Sequence, residues 1–307
     1  MREYKLLSYF NMRALFMGVG IAKILNMSHE YTFLSIIIGT LSGILFLKYF
    51  RSSNNKSIIS ILVSLITIII SLFILINMVS SHYLPGMPKL IVSIPILLLT
   101  LYMASKSRII LYRLSSVLIY INIIIFILSI ISLIPYFSIS SFTFTDTNIL
   151  KILLGSLYYF LLSVTPTLSI KGDNYNLVKT YIYSSITLIL WMILTYGILG
   201  KGLVSILRYP EYVILKNVSL VGTLENIENF VSFMWLIDIV ILIFSNVINI
   251  KENLVNKKYI YVLIPIVFFI TAIINVEYYL LDFIYSNIII IISILFLLNI
   301  LSNKKAH

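Results

Sequence analysis

Apolar residues in this chain neither alternate with polar ones nor keep to one helical face. They run together for about twenty positions at a time between short polar clusters, the length a helix needs to cross a hydrocarbon core. The pattern predicts about ten spans, over Leu6–Asn26, Tyr31–Tyr49, Ile58–Val79, Lys89–Ser105, Ile109–Pro135, Ile149–Ile170, Leu177–Leu199, Ile227–Ile250, Tyr259–Ile274 and Leu280–Leu301. The fourth is short and carries Pro95. Only one connection is long. Gly200–Asn226 is too charged to span and too apolar to float free, so it is expected to form interfacial helices around Pro210 that cap the outer surface.

Composition agrees with an all-α, polytopic membrane protein: 60% hydrophobic, 11% charged, mean hydropathy +1.06. There is no cysteine, hence no disulfide framework and no thiolate metal site. The net charge of +11 would suit nucleic acid, but its distribution points elsewhere. With the N-terminus inside, Lys48, Arg51, Lys106, Arg108, Lys251, Lys257 and most other cations fall on the inner side, while the outer loops hold Lys89, Lys201, Arg208 and Lys216. The basic balance is therefore topology, with both termini cytoplasmic, the chain multi-pass in the cell membrane, and no nucleic-acid partner.

Residues 1–305 read as one integral membrane domain, with a first half of about 1–140, a second of about 141–305, and an outer interfacial segment at 200–226. Ten spans divide five and five, and an odd number per half forces the halves to be inverted. Inverted repeats place interrupted helices at corresponding positions, here spans 1 and 6. Span 1 contains Met17-Gly18-Val19-Gly20-Ile21-Ala22-Lys23, where two glycines weaken a helix by about 1 kcal/mol each. Span 6 contains Gly155, several hydroxyls and Pro166.

These features define the candidate binding residues. Backbone groups at Gly18, Val19, Gly20 and Ile21 would meet a carboxylate-bearing ligand, with Tyr158, Tyr159 and Ser163 lining the other wall. Asp238, midway along span 8, is an intramembrane carboxylate of the kind that faces a cavity, an ion path or a cation. It is assigned to ion or proton coupling, with Lys23 as its candidate partner; Lys23 can equally snorkel to the outer interface. Arg13 is expected to snorkel at the inner end. The glycines have an alternative role in close helix packing. No HExxH, GxSxG, phosphate-binding loop or paired-acid arrangement occurs, so no enzyme, cofactor or metal site is expected.

The run RYPEYVILKNVSLVGTLENIENFVSFMWLIDIVI, with Tyr209-Pro210, Gly222, Glu225 to Glu228 and Trp235, resembles the spore germination permease family, the GerAB-like B subunits of germinant receptors. The glycine-interrupted first span and the sixth span closing at Thr165-Pro166 are similar to that family too. The chain departs from the family pattern near Leu157 and Tyr159, where a glycine and an acidic residue are expected. The resemblance implies an amino acid–polyamine–organocation (APC, LeuT-like) fold and a pocket for a small germinant such as an amino acid. It also implies A- and C-subunit partners and the spore inner membrane. The alternatives are a non-transporting scaffold subunit of a membrane receptor complex and a stand-alone amino acid permease.

Overall fold

The computed structural model describes residues 3–16, 20–49, 58–142, 148–167, 174–207, 209–215 and 227–273. Among these, all regular structure is helical: α1 (Glu3–Ala14), α2 (Ile21–Ser28), α3 (Thr32–Tyr49), α4 (Ile58–Met78), α5 (Lys89–Ser105), α6 (Arg108–Leu133), α7 (Ile149–Thr167), α8 (Asn174–Ile206), α9 (Pro210–Leu215), α10 (Ile227–Asn253) and α11 (Ile260–Ile273). Five described stretches are long and apolar enough to cross a membrane, and the chain is a multi-pass membrane protein. The predicted span over Leu280–Leu301 lies outside the described residues, as do Gly18 and Val19.

Sorting of residues within the helices follows the logic of lipid as solvent. On α6 the buried positions are Leu111, Ser115, Ile119, Asn122, Ile125, Ser129 and Leu133, a stripe at steps of three and four. Three of these are polar, while the outward positions include Ile109, Val117, Ile124 and Ile131. Helix contacts here cannot be driven by hiding apolar surface from water, since lipid is as apolar as the interior. Packing and hydrogen bonding decide the buried face, and the apolar residues go outward. Helix α1 is the extreme case, with Leu7 to Phe16 buried without a break. It is the central post of the bundle, packed on α6, α7, α8 and α10.

Side-chain contacts fix the direction of each crossing. Asn11 reaches the Pro166 carbonyl, Phe16 packs on Tyr159, and Gly20 lies against Leu162. Ser28 lies against Gly155. Together α1 and α2 thus make one crossing antiparallel to α7, and His29 (φ 45) turns the chain into α3. Helix α3 runs parallel to α7, with Ser35 donating to the Ile152 carbonyl (3.0 Å) and Phe46 against Phe160. Long-range bonds also sort the helix ends into two sets. Asn249 with Ser60 and Ser64, Arg108 with Glu252, and Lys251 with the Ala104 carbonyl mark one end. Glu30 with Lys201, Tyr83 with Ser232, and Ser138 with Gly197 mark the other. Successive crossings alternate between them, as the spans predict.

Packing pairs recur five spans on. Span 2 on span 6 (α3 on α7) is matched by span 7 on span 1 (α8 on α1 and α2). Span 3 on span 9 (α4 on α11) is matched by span 8 on span 4 (α10 on α5). Spans 1 and 6, 2 and 7, 3 and 8, and 4 and 9 pack on their own counterparts.

Two expectations are corrected. Helix α7 is continuous from Ile149 to Thr167, so span 6 is unbroken at Gly155; its Pro166 sits in the last turn, where it ends the helix without dividing it. The described part of 200–226 does not lie flat on the surface throughout. Gly200 (φ 67, ψ 175) interrupts α8 in a conformation suited to glycine, and α9 is buried against α2, α8 and α10. Leu203 and Ile206 are the outward part.

Candidate functional site

Three helices bring one buried charge pair together. Arg13 sits in the last turn of α1, where a cation suits the carbonyl end of the helix. Asp238 lies midway along α10 and Asn122 midway along α6. The Arg13 Nη2 to Asp238 Oδ2 distance is 3.4 Å, and the two side chains are 3% and 0% exposed. Arg13 Nη1 donates to Asn122 Oδ1 (2.7 Å), and Asn122 Nδ2 donates to Asp238 Oδ1 (3.3 Å), closing a triangle. Arg13 Nη1 also donates to the Tyr9 hydroxyl one turn back, and its guanidinium lies 4.8 Å over the Tyr9 ring. Its shortest contacts are to neutral groups, so Arg13 is anchored by α1 and α6 independently of the carboxylate.

This arrangement corrects two sequence readings. Arg13 does not snorkel to an interface; it is the cation of Asp238. Lys23, assigned that role, lies half-buried on α2. The error has a simple source: hydropathy places a cation by its distance from a span end, and Arg13 is only a third of the way along its crossing. Neutralising Lys23 as Lys23→Gln should therefore change the melting midpoint of the purified protein by no more than about 0.5 kcal/mol equivalent.

Immediately beyond Arg13 the regular α-helix ends at Ala14 and resumes at Ile21. Phe16 and Gly20 sit in wider π-type turns on either side, and residues 17–19, including Gly18 and Val19, lie outside the described residues. Gly20 is helical (φ −66, ψ −43) and fits closely: a Cβ there would come within 3.0 Å of Leu162 Cδ1 and of Phe16 Cδ1. The Phe16 and Tyr159 rings are 4.9 Å apart. Phe16 and Gly20 thus both lie against α7.

The remaining wall residues have other partners. Ser163 donates to the Phe160 carbonyl (3.1 Å) and pairs with the Tyr181 hydroxyl (2.8 Å). Thr40 and Ser185 flank the Tyr159 hydroxyl, and Tyr158 is 7% exposed. Ile21 is fully buried. Phe16 thus meets Tyr159 and Gly20 meets Leu162, while Ser163 belongs to the interface with α8.

Sequence reading missed Asn122, Tyr9 and Tyr181. Asn122 was detectable as the one amide in span 5, set in the apolar run from Val117 to Leu128. It also missed Gly39 and Gly43, a small-xxx-small pair on α3 on which α7 and α8 seat. Among the described residues no group of His, Cys, Asp and Glu could hold a metal ion. No model of a known protein family matches this chain, and no curated protein is similar to it.

Proposed function

We propose that the chain is a transporter-fold membrane subunit that binds a small germinant, an amino acid or similar molecule, between span 1 and span 6. It signals or transports that ligand within a spore germinant receptor, beside A and C subunits. The observation that carries this reading is the juxtaposition at mid-bundle: Phe16 and Gly20, which flank residues 17–19 of span 1, lie against Tyr159 and Leu162 of span 6, with the buried Arg13–Asp238 pair on the same span. The packing pairs that recur five spans on support a five-plus-five inverted repeat of APC type. Interrupted helices in such folds expose backbone groups to ligand and ion at the membrane midplane. Binding energy enters by opening the Phe16–Tyr159 contact, so ligand would select a form in which α2 swings from α7.

Proteoliposomes containing the purified protein, titrated with amino acids and nucleosides by isothermal calorimetry, test this. At least one class should bind. Gly20→Leu should insert normally yet weaken that binding at least tenfold, because its side chain must displace Phe16 and Leu162. Full binding by the variant would remove the junction from the site. The closed packing at Ser163 and Ile21 also favours a second reading, a scaffold subunit that binds no small molecule, and absence of binding across the panel would select it.

A further inference from the structure

Below the ion pair, toward the end of the bundle marked by Arg108 and Glu252, the helix interiors become polar along one seam. On α10, Asp238, Ser245, Asn249 and Asn253 follow at steps of seven, four and four, which keeps them on one face. Three of the four are buried, Asp238, Ser245 and Asn249. Two neighbours meet that face. From α1, Asn11 Nδ2 donates to Ser245 Oγ (2.9 Å). From α4, Ser64 and Ser60 accept from Asn249 Nδ2 at 2.9 and 3.2 Å. Asn253 then donates to the Asn249 carbonyl (2.9 Å) at the helix end. The seam covers about 22 Å of α10 at 1.5 Å per residue, from mid-bundle to the basic end.

Polar residues can simply glue helices in lipid. One atom argues for more. Asn11 is fully buried, donates through its amide nitrogen into the seam, and leaves its Oδ1 with no protein donor. A buried acceptor without a donor is the usual station of a bound water. Asn11 lies on α1 two residues before Arg13, and its bond to Ser245 sets that acceptor beside the seam.

We infer that this seam is a proton path connecting Asp238 with the compartment at the basic end of the bundle, carried by water held at Asn11 Oδ1 and along the Ser245, Asn249 and Ser64 groups that line it. A proton arriving from that side is taken up on a carboxylate oxygen of Asp238, and Arg13 stays held by Tyr9 and Asn122. The groups facing Asp238 allow this. From α1 they are the cation Arg13 and the phenol Tyr9, and from α6 the uncharged Asn122. The buried polar residues of α4 are hydroxyls alone, Ser64, Thr67 and Ser71. Glu211 on α9 belongs to the opposite end, beside Tyr212 and His82, and Lys251 and Glu252 close the near end. The inference rests on the coupling role assigned to Asp238, but on no ligand.

Infrared difference spectroscopy on oriented proteoliposomes tests it without any ligand. The Asp238 carboxyl band is identified by its loss in Asp238→Asn. A pH step on the basic-end side should change the band, while the same step on the other side should not. Asn11→Leu and Asn249→Leu, checked for normal folding by gel filtration and circular dichroism, should slow the response at least tenfold. Ser93→Ala on α5, outside the seam, should leave it unchanged. A band that answers the opposite side, that keeps its rate in both seam variants, or that answers neither side overturns the path. Ligand binding measured separately would still stand or fall on its own.

Discussion

Asp238→Leu should destabilise the protein by about 3–5 kcal/mol, and Arg13→Met by a similar amount, whereas the double variant should regain most of the loss. Each single change leaves a charge at mid-bundle without its counter-charge, and an uncompensated buried ion costs far more than the pair contributes. Both partners are essentially inaccessible, so neither can be rescued by solvent without opening the bundle. The two losses need not be equal. Arg13 retains Tyr9 and Asn122 when the acid is removed, while Asp238 retains only a 3.3 Å bond from Asn122 when the cation is removed. Asp238 can nevertheless become neutral by binding a proton once the cation is gone, whereas Arg13 cannot lose its charge, so Asp238→Leu should be the more damaging. Replacing both partners by apolar side chains of similar size restores neutrality and is often close to neutral in stability. Melting midpoints of the four proteins in detergent form a double-mutant cycle, and simple additivity would show that the pair is not an energetic unit.

Several helix limits were legible because lipid imposes one strong rule, about twenty apolar residues per crossing. Predicted and observed limits coincide for α5, Lys89–Ser105, even with Pro95 inside it. They agree closely for Ile58–Met78 and Arg108–Leu133. Asp238 was legible for the same reason, since a carboxylate amid Ile and Leu is costly enough to need a reason. Its partner was not. Periodicity along one segment says nothing about which of several cations a second segment will bring, and span 1 alone carries both Arg13 and Lys23. The choice is made by the azimuth of α1, which directs Tyr9 and Arg13 together toward α6 and α10. The hydroxyls show the complementary failure. Ser163 looked like a free wall group because sequence cannot show that Tyr181, two turns into the next helix, has already taken it.

Glycines separate the two kinds of information most sharply. By intrinsic propensity alone, Gly39→Ala should strengthen α3 by up to about 1 kcal/mol. The packing predicts the opposite sign. A Cβ at Gly39 would stand 2.7 Å from the Ser156 carbonyl oxygen and 2.8 Å from Tyr159 Cδ1. The first is backbone of a continuous helix, which cannot rotate away as a side-chain tip could, so α3 and α7 must move apart along their whole contact. One turn on, a Cβ at Gly43 would run into the Tyr181 ring, which is itself fixed by Ser163. We expect Gly39→Ala to cost about 1–3 kcal/mol, as overpacking does elsewhere, and Gly39→Leu to yield no monodisperse protein. Gly43→Ala should add to the loss and break the Ser163–Tyr181 bond, since the ring has no alternative space. Gly202→Ala is the control, because a Cβ there meets nothing within 4 Å, and propensity should then prevail with unchanged or slightly raised stability. Thermal melting followed by fluorescence-detected gel filtration reads all four variants on one scale. A stabilised Gly39→Ala would mean that α3 and α7 are not held at backbone contact distance, and the seating of the span 1 junction on Tyr159 would lose its foundation.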